Sequence, residues 1–205
     1  LWRLLKAPKA ASPTMFVQAV KEGVAINPLA ARSIFWEMKT TVADPAFEKE
    51  AWLSATLLRY GDCGFTVGDE ATVFFCPPDL APGTAKLPTS PVSEDAVLVS
   101  SLFVKSERAA KGLEAVLLDA TIMHLTSRDA SAVEAFGYRD HAKAEDLLRD
   151  KPGRIGLLSV ETLESAGFMV VQDHPITPRL RLELPPAFDL LTAAAVEDLL
   201  ARALA

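Results

Sequence analysis

The stretch SSLFVKSERAAKGLEAVLLDA, Ser100–Ala120, decides how the chain is read. An apolar run, AVLVSSLFV over 96–104, enters a short charged turn. A helical pattern follows, with Gly112 near its start. The run is apolar on both faces, as a central strand should be. The helix is expected from about Arg108 to Leu125, with Leu113, Val116, Leu117, Ala120 and His124 in one stripe. AVEAFGY, 132–138, is the next strand. A strand, helix and strand of this length imply a parallel pair joined by a right-handed crossover.

Upstream, PLAARSIFWEM (28–38) is expected as a helix opened by Pro28. Asp44-Pro45 starts another helix, which Gly61 stops after Tyr60. MFVQAV (15–20) is a short strand or helix. The runs Cys63–Val67 and Thr72–Cys76 read as a hairpin around GDE. A long loop then spans 77–95 with five prolines, and loops of that length inside a domain are usually functional or mobile. Downstream, 139–157 is charged and reads as a solvated helix and loop. LSVETLESAG is a helix, FMVVQD and RLRLEL are hairpin strands, and the last twenty residues form an amphipathic helix. The whole is an α/β chain with a mixed sheet of six or seven strands and helices on both faces.

The 205 residues, half of them hydrophobic, suit one domain over 1–205 with its core at about 28–185 and a C-terminal helical extension over 186–205. A formal charge of −6 lacks the basic footprint of a nucleic-acid binder. Two cysteines, Cys63 and Cys76, exclude a disulfide framework, and no ligand spacing suggests a metal. They read as reduced thiols on strands of a cytoplasmic protein. No segment reaches the roughly 18 apolar residues of a membrane span. The C-terminal helix, with Phe188, Leu190, Leu191, Val196, Leu199 and Leu200, either caps the domain or pairs with a second copy in a homodimer.

This order of elements resembles that of the GNAT superfamily of N-acetyltransferases, and the likeness extends to ARSIFWEM, EKEAW, AVEAFG and ESAGFMVVQDHPITPRLRLEL in an actinobacterial-type branch. The family's Arg/Gln-x-x-Gly-x-Gly/Ala turn falls on Ala109, Ala110, Lys111, Gly112, Leu113 and Glu114, where only Gly112 fits. The resemblance implies the acyl-CoA N-acyltransferase fold and acetyl-CoA as co-substrate, without a metal. It implies that the backbone at Lys111, Gly112, Leu113 and Glu114 holds the pyrophosphate, with Arg108 and Lys111 adding charge. Leu102, Phe103 and Val104 would lie along the pantetheine arm, on a strand that splays from its parallel neighbour.

The physical basis of such a turn is plain. The first helical N–H groups have no partner within the helix and carry partial positive charge. A diphosphate accepts those bonds. Acetyl transfer to a primary amine, on a small molecule or a protein, further needs a base and an acid. Glu134 is the candidate base acting through water, and Tyr138 the candidate acid. His124, His141, His174 and Cys76 rank below them, and Trp36, Glu37 and Trp52 would wall the acceptor pocket together with helix 28–38 and loop 77–95. The rival reading is a non-catalytic or degenerate module that has kept the fold, for acyl-CoA binding or regulation. The orientation of Glu114 separates the two, because a carboxylate turned back on the turn closes its amides.

Overall fold

A computed structural model describes residues 16–187 and 191–205. The strands are β1 (Gln18–Ala19), β2 (Gly64–Val67), β3 (Ala71–Cys76), β4 (Ala96–Val104), β5 (Ala132–Tyr138), β6 (Leu158–Ser159), β7 (Met169–Gln172) and β8 (Arg179–Glu183). They form one mixed sheet in the order β1-β2-β3-β4-β5-β8-β7, with β6 attached to β5. The α-helices are α1 (Pro45–Tyr60), α2 (Leu113–Ser127), α3 (His141–Leu148), α4 (Pro152–Ile155), α5 (Val160–Ser165) and α6 (Ala193–Leu204). The expected mixed α/β architecture is therefore observed. In the seven-strand path β4 and β5 are parallel and every other pairing is antiparallel.

Side chains alternate across the strands, so each face of the sheet buries its own cluster. On one face α2, α5 and α6 pack with Val73, Phe75, Val133 and Leu180. On the other, Trp36, Trp52, Phe74, Phe103, Phe136 and Ile155 form a second core. Each such large apolar side chain contributes about 1.5–3 kcal/mol on burial. Cys63 lies one residue before β2 and Cys76 ends β3, and both thiols are buried in the second core. Burial pushes the Cys63 thiol up to about 12.

Helix α1 occupies the range expected for it. Asp44 caps it by accepting the Phe47 N–H at 3.1 Å, Pro45 fills its first position and Gly61 ends it. Asp44→Ala should lower stability by about 1 kcal/mol, readable as a fall of roughly 2–4 °C in Tm by calorimetry.

Three expectations need correction. PLAARSIFWEM is not a helix but a run of turns. Asn27 holds it, its side chain accepting the Leu29 N–H at 2.9 Å and its carbonyl the Ala31 N–H at 3.0 Å. Tertiary burial of Trp36 overrides the helical spacing. Helix α2 begins at Leu113 rather than Arg108, because Ala110 and Gly112 have φ of 58° and 99°, outside the right-handed helix. The charged 139–157 segment is only solvated in part, since Pro152, Ile155 and Leu157 are buried. Phe188 and Leu190 of the expected C-terminal helix lie outside the described residues.

Candidate functional site

The parting between β4 and β5 is real. The two strands pair only over Ala96–Leu98 and Ala132–Glu134. Beyond that point another part of the chain fills the gap. Gly137 and Tyr138 pair in parallel with Leu158 and Ser159 of β6. On the other side the Leu102 N–H donates to the Gly156 carbonyl at 2.8 Å. Residues 156–159, with β6 at their end, are thus wedged between β4 and β5.

The wedge is fitted closely. Gly156 has φ +68°, and a Cβ there would lie 2.8 Å from Ser101 Cβ and 2.9 Å from the Phe103 ring. A glycine is therefore required on both conformational and steric grounds. The Trp36 indole Nε1 donates to the Ile155 carbonyl at 2.7 Å, and the ring stacks on Phe136 at 5.9 Å. Leu102 and Phe103 are buried, and Val104 is half-buried. None of the three lines the cavity at the turn that follows β4.

That cavity, of about 550 Å3, lies between α2 and α5 and is bordered by Gly112, Glu114, Asp119, Glu161 and Leu191. No side chain caps α2, so its first amides have no side-chain acceptor. The surroundings are acidic, however: three carboxylates line the cavity and, among the described residues, no lysine or arginine does. Glu114 turns back on the turn, its Oε1 accepting the Ala110 N–H at 3.4 Å. Burial pushes the Asp119 carboxyl up, against one bond from the Leu191 N–H at 3.3 Å.

The expected cationic help is engaged elsewhere. Arg108 donates to Glu70 at 3.0 Å and to the Ala203 carbonyl of α6 at 3.0 Å. Leu199 of α6 covers Gly112, within 3.1 Å of where a Cβ would be. Lys111 is exposed, and Leu113 is buried in the core under α6.

Glu134 is placed differently from the cleft-facing carboxylate expected. Its side chain is 0% exposed and forms ion pairs with Arg179 and, at 3.1 Å, Arg181. Its Oε2 also accepts the Ser93 N–H at 3.1 Å. Burial alone would push this carboxyl up. Ser93 and the two guanidinium groups outweigh burial and hold it below the ordinary glutamate range. The network ties loop 77–95 to β5 and β8, since Arg179 also donates to the Thr89 carbonyl at 2.8 Å. Tyr138 is half-buried, with its ring edge-on to His141 at 5.8 Å, and burial pushes its phenol up. Four residues of strand separate it from Glu134, roughly 13 Å, so the two cannot serve one reacting atom directly.

His124 pairs with Asp62 at 3.1 Å, and His174 Nδ1 accepts the Ile176 and Thr177 N–H groups in the last hairpin. The sequence reading missed the Lys49–Glu37 ion pair, whose side chains are both 1% exposed. Lys49 Nζ sits 4.6 Å from the Phe74 ring centre, and burial pulls its amino group down against the pull of Glu37. A lysine midway along an amphipathic helix carries no sequence sign that it points inward.

No protein-family model and no curated protein sequence matches the chain. The chain is similar to solved structures of acetyltransferases. The ribosomal-protein-S18-alanine N-acetyltransferase from Escherichia coli is 14% identical over 86% of this chain and 98% of its own, at a TM-score of 0.43. The ribosomal-protein-S5-alanine acetyltransferase from Vibrio fischeri is 12% identical over 84% of this chain and 94% of its own, at 0.47. A candidate acetyltransferase of the GNAT family from Desulfovibrio desulfuricans is 16% identical over 82% and 98%, at 0.46. Among the described residues no helix is long and apolar enough to cross a membrane, and no group of three potential metal ligands occurs.

Proposed function

We propose that this chain is a non-catalytic binding module built on the GNAT acyltransferase fold, with its acyl-CoA path filled by its own backbone. The observation that carries this reading is the wedge of residues 156–159. It takes the Leu102 N–H and pairs with the end of β5, where a pantetheine arm would need free backbone. The acidic turn points the same way. Two like unit charges 4 Å apart near a protein surface repel by about 4 kcal/mol. A helix N-terminus offers an anion about 0.3–1 kcal/mol, rising to about 2 in favourable sites. Repulsion from Glu114 and its neighbours therefore opposes what the helix end supplies.

A second reading is the N-acetyltransferase implied by the family resemblance. It would move an acetyl group from acetyl-CoA directly to a primary amine. The uncapped start of α2, open to the cavity beside Gly112, favours it. In that case the neutral amine nitrogen attacks the thioester carbonyl and gives up a proton to water, the C–S bond breaks, and the coenzyme leaves as a thiol after taking a proton. Tyr138 is then the candidate proton donor. Glu134, with both oxygens held by arginines, is a poor base.

Titration calorimetry with acetyl-CoA up to 1 mM decides between them. The expected result is no saturable heat. Saturable binding, weakened at least tenfold by Lys111→Glu and abolished by Gly112→Trp, would overturn the module reading. Amine acceptors would then be screened.

A further inference from the structure

A second cavity, of about 410 Å3, opens on the other side of the molecule from the turn. Its walls come from the 29–45 segment, from Lys86 in loop 77–95, and from Asp150 just before α4 and Arg154 within it. Four cationic side chains line it, Arg32, Lys39, Lys86 and Arg154, against the single carboxylate Asp150. The local balance is thus 4 − 1 = +3, in a chain whose formal charge is −6. That contrast is the first argument for a bound anion.

The second argument is how little of this charge is used internally. Arg154 reaches Asp150 only at 3.9 Å. Arg32 donates to the Pro28 carbonyl at 3.2 Å, and neither it nor Lys39 has a carboxylate partner among the described residues. Lys86 is anchored rather than loose. Its Nζ donates to the carbonyls of Phe35 and Met38 at 2.7 and 2.8 Å and lies 4.3 Å over the Phe35 ring. Two of its three N–H bonds are spent on backbone, and the third is left for a ligand. Burial pulls its amino group down, against the opposing pull of Glu37 and Asp150.

We propose that this groove binds a small phosphate-bearing molecule. A phosphate group carries close to two negative charges at neutral pH and three acceptor oxygens. Arg32 and Arg154 match it with planar forks, and Lys39 and Lys86 with point charges. The hydroxyls of Ser33, Thr40 and Thr41 border the same space, and Ile34, Phe35 and Val42 offer an apolar wall for the rest of the molecule. The volume falls within the range of small-molecule sites, about 300–1,000 Å3. The site stands apart from the turn at Gly112 and does not depend on whether that turn holds acetyl-CoA.

The test uses the full chain and inorganic pyrophosphate as the probe, by titration calorimetry at fixed ionic strength. Saturable binding is expected, with Kd raised at least tenfold in Lys39→Glu and in Arg154→Glu. Both positions are exposed, so each variant should keep the native Tm. Lys111→Glu, at the turn, should leave Kd unchanged. No saturable binding would overturn the proposal. So would binding that Lys111→Glu removes and Arg154→Glu spares, because the phosphate would then sit at the turn.

Discussion

Glu134→Ala should cost the protein about 3–5 kcal/mol of stability, the usual effect of removing one partner of a buried ion pair. In a chain of this size that is a fall of roughly 10 °C in Tm. The reason is the company Glu134 keeps. Arg179 and Arg181 are 13% and 15% exposed; the variant leaves Arg179 without a carboxylate partner, whereas Arg181 keeps Asp95 and Glu183. Glu134→Gln keeps an acceptor for the Ser93 N–H and should lose less. Urea denaturation at neutral pH measures both. A loss under 1 kcal/mol for Glu134→Ala would show that the network is not a structural hub.

The same residue has a pH signature. Its folded pKa is lowered, so its contribution is complete above the ordinary glutamate value, about 4.3. It is lost as pH falls through the lowered folded value. The native chain should therefore lose stability steeply in acid, and Glu134→Gln should flatten that limb. Acid titrations that fall in parallel for the two chains would rule this out.

Trp36→Ala is the second large effect, again about 3–5 kcal/mol. Trp36 is 1% exposed, stacks on Phe136 and meets Phe35 edge-on at 5.0 Å. It also holds the wedge through the Ile155 carbonyl. Trp36→Phe isolates that last role. It leaves a buried acceptor unpaired at about 1–3 kcal/mol, and the Leu102 amide should exchange with solvent faster as the Gly156 contact loosens. Unchanged Leu102 protection would mean that the wedge is held without the indole. Acetyl-CoA calorimetry on Trp36→Phe then separates a cleft that is filled from one that is lost, since binding returns only in the first case.

The elements that declare themselves in the sequence are those with local causes. Asp44-Pro45 and Gly61 bound α1 by capping chemistry, and AVLVSSLFV and AVEAFGY are strands by composition. The GDE turn between Val67 and Ala71 marks the first hairpin. What stays hidden depends on distant partners. Nothing near Trp36 says that its indole will bond a carbonyl 119 residues away and draw its own segment out of a helix. Nothing near Gly156 shows that it will settle on Ser101 and Phe103. Glu134 reads as a candidate base because its partners, Arg179 and Arg181, arrive from a strand 45 residues on. At the turn, by contrast, Glu114 stands where the family has glycine or alanine, and the residue type alone announces the departure.

The two thiols have a practical consequence. Cys63 and Cys76 are the only cysteines, both are buried, and burial holds both well above the ordinary thiol range. Thiolate is the species that alkylating dyes attack. The folded chain is therefore a natural blank for maleimide chemistry. A cysteine placed at an exposed site such as Lys39 or Met169 would take a single fluorophore or spin label without first stripping the native thiols. Dye uptake by the unsubstituted protein would in turn report unfolding.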